Sequence, residues 1–171
     1  MRISTVLMVA AMLAVGAPAG AKDESPQFKT AEARHFTQAE GVELTPAFAD
    51  YFYAELRSEL VKAKLAGDVI GEGETVEDSD APQSIVITGT IIEYKKGNLA
   101  KRMIPYAGTF GAGWRSLKMD ADVVRRSDKQ NLSTLHVHVK LEPTMDEKIM
   151  AKTSAKQLVN EMKKALKEAG K

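Results

Sequence analysis

Two histidines, His136 and His138, flank Val137 in a segment where polar and apolar residues alternate. If this segment is a β-strand, both side chains point to the same face, about 7 Å apart. Such a pair could supply two imidazole ligands to a metal ion. No aspartate, glutamate or cysteine at matching spacing completes the site, and the third histidine, His35, is distant in sequence. Metal binding is therefore one hypothesis, and a pair of solvent-exposed strand histidines is the other.

A second distinctive segment runs from Lys95 to Arg115 and includes the heptapeptide GTFGAGW. It lacks the Gly-Lys-Ser/Thr ending of a phosphate-binding loop and does not lead into a helix, so a nucleotide site is not expected. Glycine permits positive φ angles and close packing, and tryptophan, tyrosine and arginine are enriched in protein interfaces. The segment is predicted to be either an interaction surface or a loop folded onto the core. The residues assigned to the interaction surface are Arg102, Tyr106, Phe110, Gly111, Gly113, Trp114 and Arg115.

The sequence contains no recognisable catalytic motif. It has no cysteine and no serine in a G-x-S-x-G context. Asp120 and Asp122 lie on the polar side of an alternating segment, and they are interpreted as solubilising residues rather than a general acid and base. We predict no catalytic residue, no cofactor and no enzymatic activity.

The first residues have the pattern of a secretory signal peptide. Arg2 precedes an apolar run from Val6 to Val15 and a small-residue segment that ends in Ala19-Gly20-Ala21, so cleavage is predicted after Ala21. The apolar run is shorter than the roughly 20 residues that a membrane-spanning helix needs. Because the sequence has no cysteine, neither a lipoprotein anchor nor disulfides are expected. The expected location is the periplasm, with residues 22–27 as a flexible mature N-terminus.

Charge is balanced overall but unevenly distributed. Residues 1–21 contain Arg2 and no acid, so the remaining chain has 23 basic and 23 acidic side chains. A neutral chain gives no general electrostatic reason to bind nucleic acid or a membrane. Six acids and no base lie between Asp68 and Asp80, and nine bases against three acids lie between Lys95 and Lys129. One interpretation is that both segments are solvated surface. The other is that the basic residues bind an anionic partner or the acidic loop of a neighbouring subunit.

Periodicity predicts two helices and about four strands. Thr45 can cap a helix that starts at Pro46 and stops at Gly67. The segment Ser84–Tyr94 is β-branched on both faces and predicts a central strand, in which Gly89 marks a bulge or a close backbone approach. The other predicted elements are a weak strand over 28–36, a short strand near Val69 and Ile70, a hairpin of 117–123 and 135–141, and a C-terminal helix ending at Gly170. Thr144 and Glu147 could form a capping box for that helix, although residues 145–152 could also be a separate turn.

The order of these elements favours a single α+β domain over residues 28–170. The economical packing for two amphipathic helices is on one face of a small, mainly antiparallel sheet of about four strands.

Four strings of the chain resemble one bacterial family. They are the helix PAFADYFYAELRSELVKAKLAG, the strand VITGTIIEYKKGN, the pair Lys101-Arg102 followed by GTFGAGW, and the strand LKMDADVV. Together they are similar to the exported proteins and lipoproteins of domain of unknown function 4410, over about Phe28 to Leu166. That family has no established activity, so the resemblance implies an exported protein and assigns no catalytic residue. Many members are lipid-anchored, whereas this chain lacks the anchor cysteine.

The element order is also similar to a small α/β module of envelope proteins. It is found in the N-terminal domain of the Tol-system periplasmic protein and in the lipoprotein subunit of the curli secretion channel. In those proteins the module serves binding and assembly, which is an analogy at the level of fold.

These observations predict an exported, non-enzymatic envelope protein that uses the glycine- and aromatic-rich segment for protein interaction or assembly. The expected partner is another envelope protein or a second copy of the chain, with no nucleic acid and no direct membrane anchor. The alternative is a periplasmic small-ligand or metal-binding protein that uses His136 and His138.

Overall fold

The computed structural model describes residues 26–97 and 113–169. The signal peptide predicted over residues 1–21 lies outside the described residues. Within the described ranges the chain forms six strands, two α-helices and a short 3₁₀ helix. In chain order these are β1 Phe28–Ala33, β2 Thr37–Gln38, α1 Pro46–Ala63, β3 Ala66–Ile70, the 3₁₀ helix Ala81–Gln83, β4 Ser84–Lys95, β5 Arg115–Arg125, β6 Asn131–Leu141 and α2 Glu147–Ala169.

The strands form one mixed sheet in the order β3-β1-β4-β5-β6, with β2 beside β4. The pairs β4–β5 and β5–β6 are antiparallel, whereas β1 pairs in parallel with both β3 and β4, and β2 pairs in parallel with β4. The α+β class is confirmed, but the sheet is larger and less antiparallel than predicted. Strands as short as β2 and β3 contain too few residues to show a period, and parallel pairing depends on crossover connections that no local pattern encodes.

Both helices pack against each other and against one face of the sheet, as predicted. The hairpin alternation is confirmed, since every second residue of β5 and β6 points into this core. The sheet contributes Ala31, Ala33, Ile85, Ile87, Ile91, Leu117, Met119, Ala121, Val123, Leu135, Val137 and Val139. The helices contribute Phe48, Phe52, Leu56, Leu60, Met150, Ala151, Ala155, Leu158, Val159, Met162 and Leu166.

Helix α1 begins where the sequence predicts. The Thr45 hydroxyl accepts a backbone hydrogen bond of 3.1 Å from the first turn, which starts at Pro46. The predicted stop at Gly67 is wrong, because the helix ends at Ala63 and Gly67 lies within β3. Lys64 caps the helix in the left-handed conformation, with φ of 53°. Glycine is the residue expected at a left-handed helix end, so a lysine there does not indicate the end of the helix in the sequence.

Strand β4 is central, as predicted. Its first residues, Ser84–Ile87, are buried on both sides, whereas only one side of its second half is covered. A Cβ atom on Gly89 would lie 2.3 Å from the Phe36 ring and 2.5 Å from the Asp120 carbonyl oxygen. The predicted close backbone approach at Gly89 is therefore confirmed. The register between β4 and β5 shifts elsewhere, between Ile91 and Glu93.

Helix α2 starts at Glu147, so residues 147–152 belong to it. Its N-cap is Asp146, whose carboxylate accepts a hydrogen bond of 2.8 Å from the Ile149 N–H. The predicted Thr144–Glu147 capping box is wrong, because the Glu147 carboxylate accepts a hydrogen bond of 2.8 Å from the Thr45 hydroxyl instead. None of the helices in the described ranges combines the length and apolar character needed to span a membrane.

Candidate functional site

Gly97 and Gly113 form the neck of the segment predicted to mediate interactions. Both have positive φ angles, +79° and +84°. A Cβ atom on Gly97 would lie 3.0 Å from the Gly113 carbonyl oxygen and 2.9 Å from Arg115 Cγ. The two ends of the segment therefore meet closely, and a side chain at Gly97 would crowd both of them in a backbone conformation that favours glycine. Four predicted interaction residues lie outside the described residues, namely Arg102, Tyr106, Phe110 and Gly111.

Trp114 and Arg115, at the second end of the segment, are both half-buried. Arg115 opens β5, and its Nε donates a hydrogen bond of 3.3 Å to the Pro143 carbonyl oxygen. Pro143 belongs to the turn before α2, so Arg115 ties the end of the segment to the start of a helix. The structure thus brings the predicted residues Gly113, Trp114 and Arg115 together at the neck.

A hydrogen-bond network next to the neck joins the central strand to both helices. The Tyr94 hydroxyl donates to one oxygen of the Glu147 carboxylate at 3.1 Å, and the Thr45 hydroxyl donates to the other at 2.8 Å. Burial, together with the charge of Glu147, raises the pKa of Tyr94 to about 12, so the phenol keeps its proton and remains a donor. This network was not predicted from the sequence, because its members are far apart in the chain.

His136 and His138 lie on the face of the sheet opposite the helices, as their alternation predicted. His136 Nδ1 is 2.6 Å from an Asp120 carboxylate oxygen, and the histidine side chain is 76% exposed. Partial burial and the positive charges of Lys140 and Lys118 lower the pKa of His138. Across the described ranges, no three histidine or carboxylate groups converge as a metal site would require. Metal binding by the two histidines stays a prediction.

A polar cleft of about 320 Å³ lies on the same face of the sheet. Ala33 pairs with Ile87 and Thr37 pairs with Thr90, so three residues connect β1 to β2 where two residues of β4 lie beside them. The connection therefore carries one extra residue and leaves the regular strand path at Arg34–Phe36. Lining side chains include Arg34, Thr37, Thr88, Thr90, Asp120 and Asp122. Their mixed donors and acceptors could hydrogen-bond a small polar molecule, a use that sequence analysis did not assign to the two aspartates.

Glu32 is a buried carboxylate near this cleft, with 1% of its surface exposed. One of its oxygens accepts a hydrogen bond of 2.8 Å from Arg34 Nε, and the other is hydrogen-bonded by the Arg126 guanidinium. A buried carboxylate is tolerated when charged partners satisfy it in this way. Arg126 therefore ties β1 to the end of β5, while Arg34 satisfies the carboxylate from the end of β1. Glu32 was not predicted from the sequence, because it occupies a polar position in a weakly patterned strand.

No family model and no curated protein matches the chain, but solved structures share its fold. PelC from Paraburkholderia phytofirmans, solved as a dodecamer, is 9% identical with a TM-score of 0.57 over 78% of this chain and 87% of that one. Protein XCC0632 from Xanthomonas campestris, of family DUF330, is 11% identical with a TM-score of 0.48 over 82% and 85%. Lipoprotein GNA1162 from Neisseria meningitidis is 9% identical with a TM-score of 0.48 over 80% and 99%. The likeness to PelC shows a shared fold, while membership of domain of unknown function 4410 stays a prediction.

Proposed function

We propose that the chain is an exported, non-enzymatic protein of the bacterial envelope that works as an assembly module. Its glycine- and aromatic-rich segment, Gly97–Arg115, contacts a second copy of the chain or another envelope protein. The periplasm is the compartment in which this contact forms.

The observation that carries the proposal is the fold shared with PelC, which is solved as a dodecamer. At 9% identity this likeness concerns the fold alone. It supports assembly because the same arrangement of sheet and helices accommodates repeated contacts between copies in that protein. A fold hosts many functions, so this chain's own residues decide which surface makes the contact.

The neck geometry supports the choice of surface. Gly97 and Gly113 bring the two ends of the segment together, and Arg115 and the neighbouring Tyr94–Glu147 contact fasten them to the start of α2. A segment presented on fixed ends loses less conformational freedom when it binds a partner, and this favours affinity. Trp114 and Arg115 belong to the residue types that dominate interface energetics.

Chemical crosslinking of the purified protein tests this proposal, with Trp114→Ala as the test variant. Val61→Ala is the control, because it removes an apolar side chain that is 61% exposed in the last turn of α1, at the opposite end of that helix from Thr45. We expect crosslinked oligomers or partner complexes for the wild type and Val61→Ala, and a clear loss for Trp114→Ala with an unchanged circular dichroism spectrum. Wild-type protein that never crosslinks, and a Trp114→Ala variant that captures the same partners as the wild type, would together refute the proposal.

Metal binding by His136 and His138 is a second candidate function, favoured by the Asp120 carboxylate beside His136. Carboxylate and imidazole groups are both zinc ligands. Calorimetric titration with zinc should then give heat for the wild type and much less for His136→Ala. The absence of heat with both proteins would remove this candidate.

A further inference from the structure

We propose that copies of the chain associate head to tail, so that a basic patch on one copy binds the acidic segment of the next. The basic patch consists of Lys95, Lys118 and Lys140, and the acidic segment is Asp68–Asp80. The inference rests on the proposed function, because it takes a second copy as the partner and adds two charged surfaces to the contact that the glycine-rich segment makes.

The basic patch lies on the face of the sheet opposite the helices. Lys95 of β4 and Lys140 of β6 both pair with Ser116 of β5. Two residues further along β5, Lys118 pairs with Glu93 of β4 and His138 of β6, so its side chain points to the same face. Lys95 Nζ and Lys118 Nζ are 3.0 and 3.3 Å from the same Glu93 oxygen, Oε2. Lys140 is exposed and has no ion-pair partner within the described ranges. Two ammonium groups share one carboxylate and the third has none, which leaves the patch positive.

The electrostatic effect of this patch is visible at His138, which faces it from β6. After partial burial, the charges of Lys140 and Lys118 are the main causes that lower the pKa of His138. A positive potential disfavours the charged form of an imidazole. The patch therefore favours an anionic partner.

The acidic segment supplies such a partner within the same sequence. It begins in β3 and continues through the connection to β4. Glu74 and Asp80 are paired internally, with Arg57 and Lys29. Glu77 and Asp78 are exposed, and within the described part of the chain they have no ion-pair partner. These two carboxylates are available to another molecule.

The sheet order fixes how the two surfaces can meet. β3 is one edge of the sheet and β6 is the other, so four strand spacings of about 4.8 Å separate them by about 19 Å. The connection that carries Glu77 and Asp78 enters β4 at Ser84, whereas Lys95 is at the other end of β4, about 36 Å along the strand. One copy cannot join these surfaces to each other, whereas successive copies can. A contact between different surfaces is heterologous and produces a ring or an open filament.

Two double variants test the head-to-tail contact. Lys118→Gln/Lys140→Gln removes charge from the basic patch, and Glu77→Gln/Asp78→Asn removes it from the acidic segment. Lys156→Gln/Lys163→Gln is the control, because it removes the same charge as the first variant from exposed positions on α2. Native mass spectrometry, with circular dichroism as the check on folding, reports the assemblies that form.

We expect each test variant to self-associate at least tenfold more weakly than the wild type and the control. An equal mixture of the two test variants should form one-to-one heterodimers without larger species, because each pair of molecules retains one intact patch and one intact segment. Wild-type assemblies that persist in both test variants, or a mixture that stays monomeric, would overturn the inference and leave the proposed function standing. The inference would also be overturned if the basic-patch variant self-associated like the wild type and lost only its binding to another envelope protein. A strictly monomeric wild type would instead count against the proposed function itself.

Discussion

At the scale of single residues, Gly89 has little room for a side chain. A Cβ atom there would meet the Phe36 ring and the Asp120 carbonyl oxygen at distances that real Cβ atoms do not adopt. Gly89→Ala should therefore lower the free energy of unfolding by about 2 kcal/mol. This is a net loss, because the lower flexibility of alanine in the unfolded chain acts in the opposite direction. Urea denaturation measures this loss.

The Phe36 ring can move, whereas the Asp120 carbonyl belongs to a paired strand and cannot. Introducing Gly89→Ala into a Phe36→Ala background should therefore still destabilise the protein. If the unfolding midpoint of Gly89→Ala matched that of the wild type, the close approach would be absent in solution.

Glu93 gives a prediction for pH dependence. Hydrogen bonds from Lys95, Ser116 and Lys118 hold the pKa of Glu93 at about 2, below its usual 4.5. A lowered folded-state pKa means that the ionised group stabilises the fold above about pH 4.5, and that this contribution disappears as the pH falls from 4.5 toward 2. The effect is modest because solvent reaches part of the carboxylate.

Chemical denaturation at about pH 6 and about pH 3 should show a larger loss of stability for the wild type than for Glu93→Gln. Glu161→Gln is the control, because its carboxylate forms an exposed pair with Lys164. Equal losses in the wild type and Glu93→Gln would mean that Glu93 does not make these bonds in solution.

At the scale of elements, Glu147 connects α2 to α1 and β4. Glu147→Gln keeps the shape of the side chain, but its single carbonyl oxygen cannot accept from both Thr45 and Tyr94 as the carboxylate does. The unfolding free energy should fall by about 1–2 kcal/mol. The pKa of Tyr94 should also fall from about 12 toward 10, which ultraviolet titration of the phenol measures. An unchanged Tyr94 titration in a folded Glu147→Gln variant would contradict the network.

Elements with a strong local period were predictable from the sequence. The start of α1 depends on Thr45 and Pro46, and the β5–β6 hairpin depends on alternation, so both are encoded by neighbouring residues. The end of α1 was missed because Lys64 adopts a glycine-like conformation. Strand β2 was missed because its place beside β4 is decided by partners about 53 residues away.

The candidate sites were predictable only where neighbouring residues form them. The neck glycines and the shared face of His136 and His138 follow from residue type and spacing. The Tyr94–Glu147 contact and the two arginines on Glu32 join residues that are distant in sequence. Local patterns carry no information about such pairs, and only the fold reveals them.

At the scale of the whole molecule, the described chain has one sheet face covered by helices and a second face that is polar. A basic patch and an acidic segment lie toward opposite edges of the sheet, and the neck of the glycine-rich segment sits beside the start of α2. We propose that these surfaces contact other molecules.

Sedimentation velocity of the wild-type protein over a wide concentration range tests the proposed assembly most directly. Assembly predicts that the average mass rises with concentration from that of the monomer to whole multiples of it. The same multiples should be lost in the Trp114→Ala variant. A single monomeric boundary at every concentration, with no partner captured from the envelope, would contradict the account.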